Sequence, residues 1–306
     1  MSFQPGEQSM SVISIGTFDG IHLGHRSLIL RMMEIAQELD MQSVIISFYD
    51  HPTYTLKSPN APPLLCPSPV KKRELERLGI DEVDLMKFTP ELAATSAEDF
   101  LESIVNKWHP KVIVVGYDSH FGAGRRGDRE FLEHKSEQYG YRVEYIPPLL
   151  FEGKPVSSST IRQALSDGRI DDANELLGRR YRLLGKVVQG LGKGRDFGFP
   201  TANVALDNPH QLIPKEGLYL TISEIRDTKY FGLTNIGKSP TVKTHGIVEI
   251  ETFLIDFKGN LYGDEIEVEL IKYLREEKMF ANTDELISAM NKDLAHAREL
   301  IGEMSQ

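Results

Sequence analysis

The chain changes its pattern of predicted secondary structure near residue 180, and this change constrains the fold more than any other feature. Before it, helical stretches separate four short apolar runs, at residues 12–15, 44–48, 111–116 and 142–146. Strands that alternate with helices indicate a parallel sheet with right-handed crossovers. We therefore expect residues 1–180 to form an α/β domain.

Helical spacing and end signals locate several helices in this first part. Apolar residues recur at helical spacing over residues 28–39. Thr95 and Glu98 have the spacing of a capping box, which predicts that Thr95 caps the next helix. Two short helices are predicted at residues 160–167 and 171–177.

After residue 180, strands follow one another with only short turns between them. The predicted strands are residues 181–188, 217–225, 230–236, 247–257 and 265–274. Strands at this spacing, with turn residues and no helix between them, are typical of an antiparallel barrel. A final amphipathic helix carries on one face Leu286, Met290, Leu294 and Ile301. We expect residues 181–306 to form this second domain.

Composition limits where the protein works and what it binds. The sequence has no apolar run of about 18 residues, as a membrane span needs, and residues 1–10 do not predict a secretory signal. Its single cysteine, Cys66, excludes an internal disulfide and a cysteine-based metal cluster. The net charge of −10 weighs against DNA or tRNA as substrate, but not against a nucleotide. We expect a cytosolic protein without a nucleic-acid or membrane partner.

Two histidines stand at the predicted start of the first long helix, within residues 16–25. His22 and His25 are three residues apart and so face the same side, and Gly24 between them permits close approach of a phosphate. The helix N-terminus adds free N–H groups and partial positive charge. This arrangement suits stabilisation of charge during attack on an α-phosphate. The alternatives are two unrelated helix-capping histidines or a zinc site, for which no third ligand is obvious nearby.

A serine cluster precedes one of the short helices later in the same domain. Ser157, Ser158 and Ser159 offer hydroxyls and backbone N–H groups to phosphates, and Arg162 offers a guanidinium fork. The alternative interpretation is an ordinary helix N-cap or loop.

A glycine-rich stretch at residues 185–195 leads into Pro200-Thr201-Ala202-Asn203. Backbone N–H groups of such a loop can reach phosphates, although the sequence is not a Walker A motif. Thr201 and Asn203 point to the same side of an extended segment, and their oxygens suit Mg²⁺ held jointly with nucleotide phosphates. The alternative is a plain turn followed by an edge strand. Glu249 and Glu251 alternate on one face of a later strand and are candidate proton acceptors.

Together these motifs resemble the bifunctional riboflavin kinase/FMN adenylyltransferase family, the bacterial FAD synthetases. Residues 16–25 resemble the H-x-G-H signature of nucleotidyltransferases, and residues 157–162 resemble the family's I-S-S-T-x-I-R motif. The K-M-S-K-S loop of class I aminoacyl-tRNA synthetases is not found. Residues 200–203 match the P-T-A-N motif of riboflavin kinases, and the resemblance covers about residues 12–301.

The resemblance implies a fold and two reactions. The fold is a Rossmann-like α/β nucleotidyltransferase domain with a parallel sheet, followed by an antiparallel six-stranded β-barrel with a C-terminal helix. The barrel domain would convert riboflavin and ATP to FMN and ADP. The first domain would convert FMN and ATP to FAD and pyrophosphate, with Mg²⁺ offsetting phosphate charge in both steps. The partners implied are these small molecules, and we expect a monomer or weak oligomer.

The resemblance also assigns candidate roles to individual residues. The catalytic candidates are Glu251, His22 and His25. The ATP-binding candidates are Gly16, Phe18, Asp19, Gly24, Ser157, Ser158, Ser159, Arg162, Gly190, Gly192, Lys193 and Gly194. The flavin-binding candidates are His51, Asp118, Phe121, Arg125, Asp128 and Arg275. The metal ligands would be Thr201 and Asn203.

Several positions depart from the family pattern, mostly on the flavin side of the first domain. Residues 48–52 have Tyr-Asp where the family has Asp-Pro, and Ser119 stands where an aromatic residue is usual. Ser159 replaces a threonine, and Ser239 replaces an arginine in the barrel. Two alternatives therefore accompany the main interpretation. In the first, one catalytic centre, most readily the adenylyltransferase, has lost its activity. In the second, the chain is a non-catalytic flavin-binding regulatory protein.

Overall fold

The computed structural model describes residues 10–49, 51–190, 198–238 and 248–304. The chain divides into two compact units, Met1–Ser158 and Ser159–Gln306. The domain boundary expected near residue 180 stays a prediction. Among the described residues, no helix combines the length and the apolar character that crossing a bilayer requires.

A five-stranded parallel sheet forms the centre of the first unit. Its strands are β1 (Ser11–Ile15), β2 (Gln42–Phe48), β3 (Glu82–Met86), β4 (Pro110–Gly116) and β5 (Arg142–Ile146). They lie in the order β3-β2-β1-β4-β5, and every neighbouring pair is parallel. The predicted parallel sheet is therefore confirmed. The chain adds β2 and β3 on one side of β1 and then β4 and β5 on the other. The strand order therefore reverses between β1 and β4.

Helices cover both faces of this sheet. They are α1 (Leu23–Leu39), α2 (Pro52–Thr55), α3 (Ser68–Arg77), α4 (Pro90–Ala94), α5 (Ala97–Trp108) and α6 (Arg129–Tyr139), with a 3₁₀ turn at Ala123–Arg125 and a small hairpin of β6 (Leu150–Phe151) and β7 (Lys154–Pro155). Alternate strand residues face opposite sides. On β1, Val12 packs in a cluster with Met32 of α1, whereas Ile13 packs in another with Leu101 of α5. This places one hydrophobic core on each side of the sheet.

The predicted cap of α5 is wrong by one residue. Ser96, not Thr95, caps the helix, because its Oγ accepts the N–H of Asp99 at 3.0 Å and donates to the Asp99 carboxylate at 2.8 Å. Thr95 ends the preceding helix α4, so its hydroxyl donates backward to the carbonyl of Glu91 at 3.0 Å. Only Thr95 and Ser96 separate the two helices, so each of these residues caps one of them.

A closed antiparallel barrel forms the centre of the second unit. Its elements are α7 (Ser158–Asp167), α8 (Ile170–Leu177), β8 (Tyr181–Val188), β9 (Thr201–Leu206), β10 (Gly217–Ile225), β11 (Thr228–Lys238), β12 (Val248–Leu254), β13 (Glu265–Arg275) and the C-terminal helix α9 (Thr283–Met304). The strand order is β10-β11-β12-β9-β8-β13, and β13 pairs with β10 to close the barrel. The predicted six-stranded barrel with its C-terminal helix is therefore confirmed.

Helix α9 packs against the outer face of the barrel. Leu294 and Ile301 of its predicted apolar face join Ala297 in one cluster with Leu218 and Leu233 of the barrel strands. On the opposite, inner face lie buried hydroxyls. Those of Thr221, Thr234 and Thr252 form a chain across β10, β11 and β12, with oxygen–oxygen distances of 2.9 and 3.0 Å.

Candidate functional sites

A cavity of about 570 Å³ opens at the carboxyl ends of β1, β2, β4 and β5. It spans the point where the strand order reverses, which is where ligands bind in open α/β sheets. Nine of the predicted site residues line it: Gly16, Phe18, His22, Gly24, His25, His51, Asp118, Phe121 and Arg125. The folded sheet thus brings the histidine loop and the predicted flavin-side residues into one space.

The two histidines of this cavity stack on each other. Their ring centroids lie 3.7 Å apart and their planes make an angle of 16°. The Nδ1 atom of His22 accepts the backbone N–H of His25 at 3.3 Å, so His22 also caps α1. The capping interpretation is therefore correct for His22, but the two rings form one unit and are not unrelated.

The surroundings of His25 keep its imidazole neutral. Burial, followed by the nearby His22 and the charge of Lys71, holds the pKa of His25 well below 6.5. Within the described residues, the Nδ1 atom of His25 has no hydrogen-bond partner. A neutral imidazole can still donate one hydrogen bond to a phosphate oxygen.

The serine segment lies against the histidine loop. The hydroxyl of Ser158 donates to the backbone carbonyl of Asp19 at 2.9 Å. A Cβ atom added to Gly24 would lie 3.2 Å from the His22 ring and 3.3 Å from the carbonyl oxygen of Val156. Glycine at this position therefore lets the two segments approach closely. Ser159 and Arg162 lie further along α7, in the second unit.

Two predicted ligand-binding carboxylates have structural tasks. The buried carboxylate of Asp19 accepts the backbone N–H groups of Leu65 and Cys66, each at 3.0 Å. Asp128 caps α6 by accepting the N–H of Phe131 at 2.9 Å. Neither residue lines the cavity. Their predicted ligand contacts stay predictions.

The loop after β4 is shaped by unusual packing of its side chains. The ring of Phe121 lies directly on Gly127, where any Cβ atom would overlap it. The hydroxyl of Ser119 accepts the N–H of Gly116 at 2.9 Å and closes the turn. This contact gives the serine, which replaces the family's usual aromatic residue, a local role. Arg125 lies 3.2 Å from Nδ1 of His120 at the cavity edge.

In the barrel, strand register brings the predicted metal ligands and the predicted base onto one face. Glu251 on β12 lies opposite Asn203 on β9 and opposite Asn235 on β11. Thr201 lies two residues from Asn203, so both side chains point to the same face as that of Glu251. A hydroxyl, an amide and a carboxylate therefore converge on the outer barrel surface.

The charge environment of Glu251 suits a proton acceptor. Burial raises its pKa above 4.5, and the neighbouring carboxylates of Glu249 and Glu277 raise it further. Glu277 also accepts a hydrogen bond from the Asn235 side chain at 3.4 Å. Sequence reasoning missed Asn235 and Glu277 as members of this cluster. The register of β11 against β12 identifies Asn235, whereas Glu277 follows β13 and no spacing rule points to it.

The glycine-rich loop begins against the same cluster. A Cβ atom on Gly190 would overlap the side-chain amide of Asn203, so only glycine permits this approach. The predicted residues Gly192, Lys193 and Gly194 lie outside the described residues. The described part of the chain contains no group of three histidine, cysteine or acidic side chains placed to hold a metal ion. The hydroxyl of Thr201 and the amide oxygen of Asn203 are hard oxygen ligands, which suit a cation that takes further oxygen ligands from a nucleotide.

Arg275, whose flavin contact stays a prediction, forms an ion pair within the barrel unit. Its guanidinium makes a bidentate pair with Asp293 of α9, at 3.0 and 2.6 Å, and donates to the carbonyl of Glu276 at 2.9 Å. These bonds connect the end of β13 to α9.

A buried lysine beneath the cavity was not predicted from the sequence. Lys71 on α3 is only 3% exposed, and its Nζ donates to the carbonyl of Thr17 at 2.9 Å and to that of Phe48 at 2.8 Å. A lysine on a polar helix is ordinarily a surface residue, so the sequence contains no signal for this position.

Family models cover both units. One described as FAD synthetase matches residues 4–160, and one described as riboflavin kinase matches residues 177–301. A crystal structure described as a macrolide-efflux protein from Streptococcus pneumoniae shares the fold. Its TM-score is 0.86 and its sequence identity 30%, over 96% of this chain and 95% of that one.

Curated relatives match almost the full length. The bifunctional riboflavin kinase/FMN adenylyltransferase of Pseudomonas fluorescens is 36% identical over 94% of this chain and 92% of its own. The protein of the same description from Escherichia coli K12 is 35% identical over 96% of this chain and 94% of its own. The chain therefore belongs to the bifunctional riboflavin kinase/FMN adenylyltransferase family.

Proposed function

We propose that the chain makes FAD in two steps, phosphorylating riboflavin in the barrel and adenylylating FMN at the cavity of the first unit. One observation carries the proposal: each unit holds its own cluster of side chains suited to phosphate chemistry. The stacked histidines line the cavity, and Thr201, Asn203 and Glu251 share one barrel face. Membership of the family supports both reactions.

In the kinase step, Glu251 accepts the proton of the riboflavin 5′-hydroxyl as its oxygen attacks the γ-phosphorus of ATP, and ADP leaves. The carboxylate is suited to this because its raised pKa makes it a stronger base than an ordinary glutamate. Thr201 and Asn203 would hold Mg²⁺ together with the ATP phosphates. When bound, the ion offsets phosphate charge. Gly190 lets the backbone approach the same nucleotide.

In the adenylyl-transfer step, a phosphate oxygen of FMN attacks the α-phosphorus of ATP, and the bond to pyrophosphate breaks. The FMN phosphate is already ionised, so no protein base is required. His22, His25 and the N-terminus of α1 stabilise the charge that develops on the α-phosphate. His51, Asp118, Phe121 and Arg125 would contact the flavin from the other side of the cavity.

Incubation with riboflavin, ATP and Mg²⁺, followed by chromatography of the flavins, tests the proposal. FMN followed by FAD is the expected result. FMN that never becomes FAD would leave only the kinase. No conversion, together with tight flavin binding, would identify a binding protein instead. The cytosolic location, the monomeric or weakly oligomeric state and the exclusion of nucleic acid as a partner stay predictions.

A further inference from the structure

We propose that Lys71 is a positioning residue for adenylyl transfer, whose buried ammonium holds the loop between β1 and α1 against the carboxyl end of β2. This inference rests on the proposed function of the cavity. The Nζ atom of Lys71 joins the carbonyl of Thr17, in the loop, to that of Phe48, the last residue of β2. Both acceptor residues line the cavity.

The loop needs such a restraint because its backbone is strained. Phe18 and Ile21 have φ angles of +46° and +43°, in the left-handed region that favours glycine. Such conformations persist only where the surroundings over-determine them. The carbonyl that Lys71 holds belongs to Thr17, the residue immediately before Phe18, and Ser47 donates to the same oxygen at 3.1 Å. His22 comes directly after Ile21, so its position depends on the backbone conformation of this loop.

The positive charge matters as well as the hydrogen bonds. An apolar side chain would fill this buried position without the cost of desolvating an ammonium group. The charge of Lys71 contributes to the lowered pKa of His25, after burial and His22. Lys71 therefore helps to keep His25 neutral beside its stacked partner.

Other charged or titratable groups also face the cavity that His25 lines. They are His22, His51, Tyr117, Asp118, His120 and Arg125. All of them are unchanged in a Lys71 variant, so a change in the titration of His25 there reports on Lys71.

Lys71→Met in the full-length protein tests the proposal, with Lys72→Met as the matched control. Lys72 is the next residue on α3, but its side chain is 56% exposed and pairs with Glu76 at 3.7 Å. We expect Lys71→Met to lower kcat for FAD formation on the order of 10²-fold, because small displacements at a reacting centre cost that much. FMN formation by the same samples should be unchanged. Lys72→Met should resemble the wild type in both assays.

Titration of His25 by NMR provides a readout that a purely structural role would not move. The midpoint should rise toward 6.5 in Lys71→Met and stay at the wild-type value in Lys72→Met. If Lys71→Met does not fold, Lys71→Gln and Lys71→Arg replace it. The neutral glutamine should raise the midpoint, and the charged arginine should not.

Two outcomes would overturn the proposal. One is FAD formation in Lys71→Met at the rate of Lys72→Met. The other is a titration midpoint of His25 that does not change with the charge at position 71. A wild-type protein that makes no FAD would instead contradict the proposed function of the cavity, which is a separate result.

Discussion

At position 190, one missing Cβ atom decides whether the amide of Asn203 can occupy its place. The glycine backbone lies where a side chain would overlap that amide. Asn203 sits opposite Glu251 in the register, so this contact lies beside the proposed base. Packing against Asn203 is thus a reason for glycine here that is separate from its proposed approach to a phosphate.

Gly190→Ala should abolish most of the kinase activity. The new methyl group would displace Asn203, and we expect kcat for FMN formation to fall on the order of 10²-fold. FAD formation from supplied FMN should remain. Gly302→Ala is the control, because a Cβ atom there meets nothing within 4 Å. Chromatography of both flavins measures the two activities, and full kinase activity in Gly190→Ala would contradict the packing argument.

Glu249→Gln should shift the pH dependence of the kinase. Glu251 must be unprotonated to accept a proton, so activity falls as the pH drops through its pKa. The charge of Glu249 raises that pKa, and its removal should lower it and move the acid limb of kcat to lower pH. Glu265→Gln, at an exposed position at the start of β13, should leave the limb unchanged. A limb that stays in place or moves upward in Glu249→Gln would argue against Glu251 as the base.

At the scale of elements, buried hydroxyls connect three neighbouring strands inside the barrel. Thr234 stands in the middle of the chain and bonds to Thr221 on one side and to Thr252 on the other. Each of these residues is fully buried. The chain therefore satisfies polar groups that would otherwise be costly in the core.

Thr234→Val should destabilise the barrel by about 1–3 kcal/mol, because it preserves the shape but removes the partner that its two neighbours share. Urea unfolding, with loss of FMN formation as the signal, measures the change in the free energy of unfolding. Thr228→Val, exposed at the start of β11, should change stability by only about 0.5 kcal/mol or less. Equal midpoints for the two variants would show that the hydroxyl chain contributes nothing.

How much the sequence predicts differs between elements and sites. Strands β8 and β10 have the predicted ends, since turn residues bound strongly apolar runs. Strand β3 was missed because Glu82 and Asp84 interrupt its hydrophobic pattern. The roles proposed for His22 and Glu251 follow from local motifs. Lys71 and Glu277 reach their sites from distant parts of the chain, and only tertiary packing brings them there.

At the scale of the whole molecule, the chain consists of two units that each hold one reaction. The cavity lies within the first unit, and the proposed metal ligands and base lie within the second. The predicted catalytic residues of one reaction therefore belong to a different unit from those of the other.

The two reactions should accordingly fail separately. His25→Ala should block FAD formation and spare FMN formation, because the histidine pair is lost while the barrel is unchanged. Glu251→Ala should block FMN formation but permit FAD formation when FMN is supplied. Each variant is assayed with riboflavin and with FMN. Loss of both activities in one folded variant would mean that the units do not act independently.

The strand pairings also bear on self-association. Over the described residues the barrel is closed, so each of its strands has a hydrogen-bonded neighbour on both sides. Closure leaves little open strand edge for another chain to pair with. The parallel sheet ends in β3 and β5, which are only five residues long and carry charged side chains such as Asp84 and Arg142. Short charged edges discourage the addition of foreign strands. The barrel and the parallel sheet thus offer few edges at which a second chain could add a strand.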